Sequence, residues 1–395
     1  MDPTRAPEER TRTAHAAVQE QQSPLQMSHC PVDVAVFLGG SCNPTTWRRD
    51  IAVPLLTANH VRFFDPQVDE WSPERIAMET RAKERAALVL IVVDGRTRSL
   101  VSIHEAVEFV CRGRSVRLVI DDVPSGLVIE GAVVSTAELA DLNGARQCLR
   151  DVATERRHVK LFPDVAAAVG ACSSELLQLN ERRQHRRQSG RSMATKPQED
   201  EEEEKNEEKE ALIAVDGTRF GGPPWTDLLP RQSYTGGSVY LGGNVGATSW
   251  REEVAVPLLR RAGIAVHVPA VDYWQLGVPS GANTPRRRSR TDSLHDVKQL
   301  RATSALVLFV IPKHLRAIAA MTEAVALVLS RDAVVLVVEP VEEGDMIEEG
   351  VALTGRELHD LTRARAYLRD MAERNNVAVF PSVTNAVDAI IAMVA

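Results

Sequence analysis

A chain of 395 residues is long enough for two or three domains, and its 44% hydrophobic content lets each domain bury a core. The formal net charge of −7 comes largely from one acidic run, residues 199–210, and the near-neutral remainder argues against a general nucleic-acid binder. The sequence has no apolar run near the roughly 20 residues of a membrane span. The first 22 residues lack the apolar core of a secretory signal, so we expect a cytoplasmic protein without a membrane partner.

The cysteines are odd in number, and no two of them have CxxC spacing. This pattern argues against a disulfide framework and against a zinc site, and it indicates a reducing compartment. We therefore expect no metal, and nothing in the sequence calls for a cofactor. The five cysteines are Cys30, Cys42, Cys111, Cys148 and Cys172.

Composition divides the chain into four parts. Residues 1–31 are rich in Pro, Gln and charge and are predicted to be a disordered tail. A first domain is predicted at 32–179 and a second at 238–395. Between them, residues 180–237 begin basic, turn acidic and lack periodicity, so we expect a charged flexible linker.

The two domains are copies of each other. The segment VFLGGSCNPTTWRRDIAVPLL aligns without gaps with VYLGGNVGATSWREEVAVPLL, and it sets Trp47 and Trp250 203 positions apart. Further along, AALVLIVVD from Ala86 matches SALVLFVIP from Ser304, which is 218 positions later. The second copy therefore carries an insertion of about 15 residues, around residues 278–293.

Short apolar runs alternate with helical patterns in each copy. This alternation predicts an α/β fold: two tandem Rossmann-like (flavodoxin-like) domains, each a five-stranded parallel sheet with helices on both faces. The ligand crevice of such a sheet lies at the carboxyl ends of its strands. In the first copy, strands are expected near 32–38, 61–64, 87–93, 116–120 and 159–161, and helices near 47–58, 73–84, 102–112, 136–155 and 164–177.

The loop after the first strand, Gly39-Gly40-Ser41, is the first candidate binding feature. Two glycines between a buried strand and a helix permit a tight turn whose N–H groups can receive an anion or a sugar oxygen. A simple strand–helix turn is an equally good interpretation. Asn43 can bind a ligand or cap the next helix. The repeated tryptophans, Trp47, Trp71, Trp250 and Trp274, are interpreted as packing residues.

Two carboxylates follow the third strand. Asp94 ends that strand, and Glu105 comes eleven residues later in a predicted helix. One interpretation is structural: Ser102 caps the helix and Glu105 completes a Ser-x-x-Glu capping box. The other is catalytic: both acids face the crevice, and a first-turn position keeps Glu105 ionised as a nucleophile. Paired acids in different environments suit glycosyl transfer.

These motifs, FLGGSCNPTTWR, FDPQVDEWSPE, VLIVVDGRTRS and SIHEA, make the chain resemble the nucleoside 2-deoxyribosyltransferase-like family across nearly all of both copies. The resemblance implies that Glu105 is the nucleophile on the sugar C1′ and that Glu323 matches it in the second copy. It also implies cleavage of the N-glycosidic bond of a nucleoside or nucleotide through a covalent glycosyl-enzyme intermediate, which passes to another base or to water.

The chain departs from the family pattern at two acid positions. Where members have an Asp in the helix before the third strand, Glu79 is the nearby carboxylate; where an acid often precedes the nucleophile by six residues, Ser99 stands. We expect Asp94 or Glu79 to handle protons or sugar hydroxyls, and Gln67 to read the base edge. The expected substrate-binding set is Gly39, Gly40, Ser41, Asn43, Asp65, Gln67, Ser99 and Ser102.

The second copy has lost polar residues at matching positions. It has Pro312 for Asp94, Ala270 for Gln67, Ala317 for Ser99 and Ala320 for Ser102, although it keeps Glu323. An isolated carboxylate without proton partners or donors is a poor catalyst. Activity is therefore expected in the first copy, with the second packed against it as the other half of an internal pseudo-dimer. A homo-oligomer is also compatible with the sequence.

Two other functions compete with this one. A non-catalytic nucleotide-binding or scaffold protein would keep the fold and lose the acids, as the departures suggest. A lysine-decarboxylase-like phosphoribohydrolase is disfavoured because its PGGxGTxxE run is absent. Geometry separates the first rival from the enzyme, because Glu105, Asp94 and Gln67 of an enzyme should converge on one crevice.

Overall fold

The computed structural model describes residues 34–67, 73–129, 131–191, 237–244, 249–269, 290–330, 333–347 and 350–394. The predicted N-terminal tail and the acidic run lie outside the described residues, as do Trp71, Ala270 and Trp274. Most of the predicted insertion in the second repeat lies outside them as well.

The first repeat alternates strands and helices as its apolar pattern predicts. A π-helical turn, Arg48–Ala52, leads directly into the first helix, so one continuous helical segment follows the first strand. The elements are β1 (Val36–Gly40), α1 (Val53–Ala58), β2 (Phe63–Phe64), α2 (Pro73–Arg85), β3 (Leu88–Val93), α3 (Leu100–Cys111), β4 (Val116–Ile120), β5 (Val128–Ile129), β6 (Ala132–Val133), α4 (Thr136–Thr154), β7 (Val159–Phe162) and α5 (Val165–Arg191).

The second repeat has the same order of sheet strands and helices, but its described residues pair Met346 with Ala352 in an isolated bridge where the first repeat has the strands β5 and β6. A π-helical turn at Trp250–Ala255 again precedes its first helix. The elements are β8 (Ser238–Gly243), α6 (Val256–Arg261), β9 (Ala265–His267), α7 (Arg290–Ala302), β10 (Leu306–Ile311), α8 (Ile318–Leu329), β11 (Val334–Val338), α9 (Gly355–Arg374), β12 (Ala378–Phe380) and α10 (Val383–Val394).

Each repeat forms one five-stranded parallel sheet, which confirms the predicted fold class. The strand orders are β2-β1-β3-β4-β7 and β9-β8-β10-β11-β12. In the first sheet the order reverses between β1 and β3, and a crevice opens at the carboxyl edge of a doubly wound sheet at such a switch point. The register pairs Gly40 with Val92, so the glycine loop and the end of β3 meet at this edge.

Strand β3 is apolar at every position, and β1 and β4 are nearly so, because both faces of the sheet are covered. Leu88, Leu90 and Val92 point into the cluster under α1 and α5, whereas Val89 and Ile91 point to the opposite side. Buried β-branched and leucine runs of this kind are typical of parallel sheets between helical layers. This pattern explains why the strands could be predicted from the sequence.

Two boundaries differ from the sequence prediction. The first strand begins at Val36 and extends to Gly40, two residues beyond the predicted end at Leu38. The last helix of the first repeat continues to Arg191, past the predicted domain end at Leu179. The basic stretch predicted as the start of the linker therefore continues this helix.

The two repeats pack against each other through their α3/α4 and α8/α9 layers. Helix α8 contacts both α3 and α4, helix α9 contacts α3, and buried residues of all four helices belong to one continuous apolar cluster. Asp141 on α4 accepts hydrogen bonds from the backbone N–H groups of Ile318 and Ala319, both at 2.8 Å. It thereby satisfies donors at the start of α8 in the other repeat.

Matching ion pairs flank this contact. Arg98 donates to Glu138 at 2.7 Å in the first repeat, and Arg316 donates to Glu357 at 2.6 Å in the second. Each arginine also faces an acid of the other repeat: Arg316 lies 3.9 Å from Glu138, and Arg98 lies 4.0 Å from Asp360. The repeats therefore contact each other as an internal pseudo-dimer with reciprocal pairs.

Candidate functional site

The loop after β1 approaches β3 so closely that only glycine fits at its second position. Gly40 has a φ of +111°, and a Cβ there would lie 2.1 Å from the carbonyl oxygen of Val92. The next residue, Ser41, donates its backbone N–H to that same oxygen at 2.8 Å. The glycine loop is thus required by the close approach of two backbones at the switch point.

A buried arginine, Arg48, organises this loop. Its guanidinium donates to the carbonyls of Leu38 at 3.1 Å, Gly40 at 3.1 Å and Ser41 at 2.8 Å. These bonds satisfy carbonyls that the turn leaves without sheet partners. The sequence prediction missed Arg48, although an arginine follows the repeated tryptophan in both copies and could have signalled its role.

Arg48 also brings three predicted binding residues together. Its Nη1 donates to Gln67 Oε1 at 3.2 Å, and its Nε lies 3.6 Å from the Asp65 carboxylate. The Gln67 amide Nε2 donates to Asn43 Oδ1 at 2.8 Å, while the Gln67 backbone N–H donates to Asp65 Oδ1 at 2.9 Å. These contacts hold the Gln67 side chain beside the β1 loop.

A chain of hydroxyl groups links the β1 loop to the start of α3. The Ser41 and Ser99 Oγ atoms are 2.5 Å apart, and Thr97 Oγ1 lies 2.5 Å from Ser99 Oγ. Ser41 Oγ also accepts the backbone N–H of Asp94 at 2.9 Å. Ser41 and Ser99 therefore meet as predicted members of one site, and Thr97 is an addition that the sequence prediction did not contain.

The capping-box interpretation of Ser102 is wrong. Helix α3 begins at Leu100, and its N-cap is Ser99, which adopts the left-handed conformation with a φ of 55° and makes no side-chain cap bond. Ser102 is the third helical residue, and Glu105 is the sixth, in the second turn. The expected dipole effect of a first-turn position does not apply to Glu105, because that effect fades beyond the first turn.

The Asp94 carboxylate is held by Arg96. Arg96 donates to it from its backbone N–H at 2.7 Å and from Nη2 at 2.8 Å. Burial raises the pKa of Asp94, but the Arg96 guanidinium outweighs burial and holds this pKa below its usual value. Arg96 itself is exposed at the surface, so the pair stands at the rim of the switch point.

The Glu105 carboxylate is paired with a lysine of α2. Lys83 Nζ lies 2.5 Å from Glu105 Oε1 and 2.7 Å from Glu79 Oε1. The structure thus brings the two predicted acids Glu79 and Glu105 together around one ammonium group. Lys83 was missed by the sequence prediction, and its only sequence signal was its position four residues after Glu79.

The corresponding place in the second repeat is poorer in polar groups. Glu323 is buried, and Arg301 Nη1 lies 3.7 Å from its Oε1, in the position that matches Lys83. The match to Glu79 is the buried Val297, and Pro312 and Ala317 replace Asp94 and Ser99. A basic residue is therefore retained beside the helical glutamate, while apolar residues replace the acids at the positions of Glu79 and Asp94 and the hydroxyl at that of Ser99.

Most of the predicted set surrounds the switch point. Gly40, Ser41, Asn43, Asp65, Gln67 and Ser99 are joined through Arg48 or through the hydroxyl chain, and Gly39 adjoins them in β1, whereas Ser102 makes no cap. Asp94 joins this group through its backbone, while its carboxylate faces Arg96. Trp47 is buried and donates its Nε1–H to the Ser41 carbonyl at 3.0 Å, in agreement with a packing role.

Fold and site together define a tandem Rossmann-like α/β protein whose first repeat carries a cluster of polar side chains at its topological switch point. The family model described as "Nucleoside 2-deoxyribosyltransferase like" matches residues 33–123 and 236–341. The chain belongs to this family, with one copy in each repeat. Neither the comparison with curated proteins nor that with solved structures gave a match.

Two further observations bear on partners. Among the described residues, no helix is both long and apolar enough to cross a membrane. Within the same part of the chain, no group of three or more His, Cys, Asp or Glu residues is arranged to hold a metal ion.

Proposed function

We propose that the first repeat cleaves the N-glycosidic bond of a nucleoside or nucleotide, with Glu105 as the nucleophile. The observation that carries the proposal is the environment of this carboxylate. Its side chain is 20% exposed, it is paired with Lys83, and it projects from the helix that begins at the hydroxyl cluster. A partly exposed carboxylate held beside a cation is suited to attack an electrophilic carbon.

The reaction proceeds in two displacements. In the first, a Glu105 oxygen forms a bond to the sugar C1′ as the C1′–N bond breaks; the electron pair goes to the base, which takes up a proton from water. In the second, another base or water bonds to C1′, and the ester bond breaks with its electron pair returning to Glu105. The proton of the acceptor goes to solvent. This is the chemistry of a retaining glycosyl transfer.

The neighbouring groups are suited to binding the sugar and the base. The low pKa of Asp94 keeps it ionised at neutral pH, so it can accept hydrogen bonds from sugar hydroxyls but is a poor proton donor. Arg96 must move aside for this, and its exposed side chain has room to do so. Gln67, held by Arg48 and Asn43, presents an amide group for the edge of the base.

The residues around Glu323 favour a structural role for the second repeat. Its glutamate side chain is only 11% exposed, compared with 20% for Glu105, and Pro312 and Ala317 remove the acid and the hydroxyl beside it. The acid and the hydroxyl that could move a proton or bind the sugar in the first repeat therefore have no equivalent at these two positions of the second. The non-catalytic interpretation thus applies to this repeat, which covers one helical layer of the first.

The test is release of free base. The full chain is incubated with 2′-deoxynucleosides, with their 5′-monophosphates and with NAD, and free base is measured by chromatography. We expect Glu105→Ala to lower the rate by roughly 10³-fold or more, because it removes the covalent nucleophile. Glu323→Ala is the matched control and should leave the rate unchanged, with circular dichroism confirming that both variants fold.

Two outcomes would contradict the proposal. Near-normal turnover by a folded Glu105→Ala variant would exclude this residue as the nucleophile. Absence of base release from every donor would favour a binding protein that retains the fold. A clear loss of rate in Glu323→Ala would show instead that the second repeat is a working site.

A further inference from the structure

The ammonium group of Lys83 is enclosed on three sides. Besides its bonds to Glu79 and Glu105, it lies 5.5 Å from the centre of the Phe37 ring, within the range of a cation–π contact. Phe37 is buried in β1 and stacks on Phe64, with ring centres 5.9 Å apart. The core therefore fixes the position of the Phe37 ring that faces the ammonium group. Lys83 therefore occupies a built position between α2, α3 and β1.

We infer that Lys83 is a positioning residue that holds the Glu105 carboxylate ionised and oriented, with Glu79 as the second anchor of the ammonium group. The inference rests on the proposed function for its catalytic meaning, but the contact itself is independent of activity. A cation 2.5 Å from a carboxylate favours the charged form, which is the form that can attack.

The surroundings of Lys83 favour its charged form throughout the proposed reaction. Burial lowers the pKa of Lys83, but Glu105 and Glu79 outweigh burial and hold that pKa above its usual value. An amine that stays protonated at neutral pH is neither a base nor a nucleophile, so these contacts favour an electrostatic role for Lys83 over a Schiff-base role. Its effect must therefore pass through the acids that it contacts.

The two anchors explain how one lysine can serve both displacements. When Glu105 becomes an ester its charge is lost, and the ammonium group keeps a charged partner in Glu79. When the ester breaks, the electron pair returns to a carboxylate that again faces the ammonium group. Lys83 thus stabilises Glu105 as a leaving group in the second step and avoids being left as an unpaired buried charge between the steps.

The second repeat supplies a comparison within the same molecule. Arg301 matches Lys83 and lies 3.7 Å from Glu323, but Val297 occupies the place of Glu79. The cation has been retained beside the helical glutamate, while an apolar residue stands where the first repeat has the second carboxylate. A guanidinium is therefore compatible with this position, and Lys83→Arg should preserve the contact in the first repeat.

The experiment compares Lys83→Met with Lys83→Arg in the full chain, using Arg301→Met as the matched control. The pH–rate profile is measured with the donor that the wild type cleaves. We expect the acid limb of Lys83→Met to lie at a pH higher by about one or more, with a fall in kcat larger than any rise in KM. Lys83→Arg should have its acid limb at the same pH as the wild type, and the pH–rate profile of Arg301→Met should match that of the wild type.

A second measurement does not need activity. A water-soluble carbodiimide modifies protonated carboxyl groups, and labelling of Glu105 is followed by peptide mass spectrometry between pH 5 and pH 7. In Lys83→Met we expect labelling of Glu105 to rise several-fold, because the cation that favours its charged form has been removed, and in Lys83→Arg to stay near the wild-type level. Lys83→Gln provides a second uncharged variant if Lys83→Met fails to fold.

The outcomes separate the two proposals. If the wild type releases no base but Lys83→Met increases the labelling, the proposed function fails and the role of Lys83 stands. If base release is observed and both the acid limb and the labelling of the uncharged variants match the wild type, the inference about Lys83 is overturned. A loss of rate in Lys83→Met that Lys83→Arg fails to rescue, with an unmoved acid limb, would also overturn it.

Discussion

Tyr367, on α9 of the second repeat, donates a hydrogen bond to Glu108, on α3 of the first repeat. Glu108 comes three residues after Glu105 and is also bound by Arg112 at 2.9 Å and by Arg374 of the second repeat at 3.3 Å. The contact has no counterpart on the other side of the pseudo-dimer, where Cys148 and Ala326 occupy the matching positions. The second repeat therefore contacts helix α3, which carries Glu105, through a polar contact that the pseudo-dimer does not repeat.

Replacing Tyr367 with Phe removes this donor and should lower the free energy of unfolding by about 1.5–3 kcal/mol at pH 7, the usual range for a bond to a charged group. Burial raises the pKa of Glu108, but Tyr367 and the two arginines outweigh it, so this pKa lies below its usual value. Stability from a depressed carboxyl pKa is present at neutral pH and is lost as the pH falls through the acid range. The deficit of Tyr367→Phe should therefore shrink below about pH 4 in denaturant titrations. A loss of unfolding free energy in Tyr367→Phe that does not change with pH would contradict this prediction.

His104 is buried completely in α3, and neither of its ring nitrogens has a hydrogen-bond partner among the described residues. Burial lowers the pKa of His104 from 6.5 to about 3. Because the unfolded chain binds the proton in this window and the folded chain does not, stability should fall as the pH drops below about 6.5. The contribution of this group between pH 7 and pH 5 is roughly 2 kcal/mol.

His104→Leu removes the titrating group and should abolish this part of the acid sensitivity. The measurement is the free energy of unfolding of wild type and variant at pH 7, 6 and 5, each compared with its own value at pH 7. We expect the wild-type curve to fall more steeply than that of the variant. Parallel curves would show that His104 finds a polar partner and is not held neutral by burial.

Gly40 and Gly243 are matched positions that separate stability from catalysis. Both have positive φ, +111° and +98°, and a Cβ would lie 2.1 Å and 2.2 Å from the carbonyl oxygens of Val92 and Val310. Gly40→Ala and Gly243→Ala should therefore each destabilise the chain by roughly 2 kcal/mol or more. Only Gly40→Ala should also lower base release per folded molecule, measured after correction for the folded fraction. Equal losses of activity in the two variants would contradict the assignment of catalysis to the first repeat alone.

The sheet could be predicted from the sequence because its physical cause is local. Runs such as Leu88–Val93 and Val116–Ile120 are apolar at nearly every position, a pattern that requires cover on both faces. The start of α3 could not be predicted in the same way. Ser102 and Glu105 have capping-box spacing, but the left-handed conformation of Ser99 begins the helix at Leu100. Ala317, the matching residue of the second repeat, adopts the same conformation with a φ of 54°, so the side chain at this position does not signal where the helix begins.

The sequence predicted the acidic residues of the candidate site, but it did not predict the basic residues that bind them. The resemblance identified Glu105 and Glu79 as candidates, but the ammonium group between them becomes visible only when α2 packs beside α3. Arg48 was missed for the same reason, since its bonds to the β1 loop and to Gln67 require the folded turn. Both cations recur in the second repeat as Arg301 and Arg251, so comparison of the two copies carried a signal that composition did not.

Removal of the second repeat is the most direct test of the internal pseudo-dimer. Residues Ala106, Val107 and Val110 of α3 belong to the same buried cluster as Met321 and Val325 of α8. A chain that ends at residue 236 would expose this apolar face, and exposed patches of that kind drive association or aggregation. We expect the truncated chain to be less soluble or to dimerise through α3 and α4, as light scattering after size exclusion would detect. Co-expression with residues 237–395 as a separate chain should restore a 1:1 complex and its activity. A truncated chain that is monomeric, stable and fully active would show that the first repeat does not depend on the second.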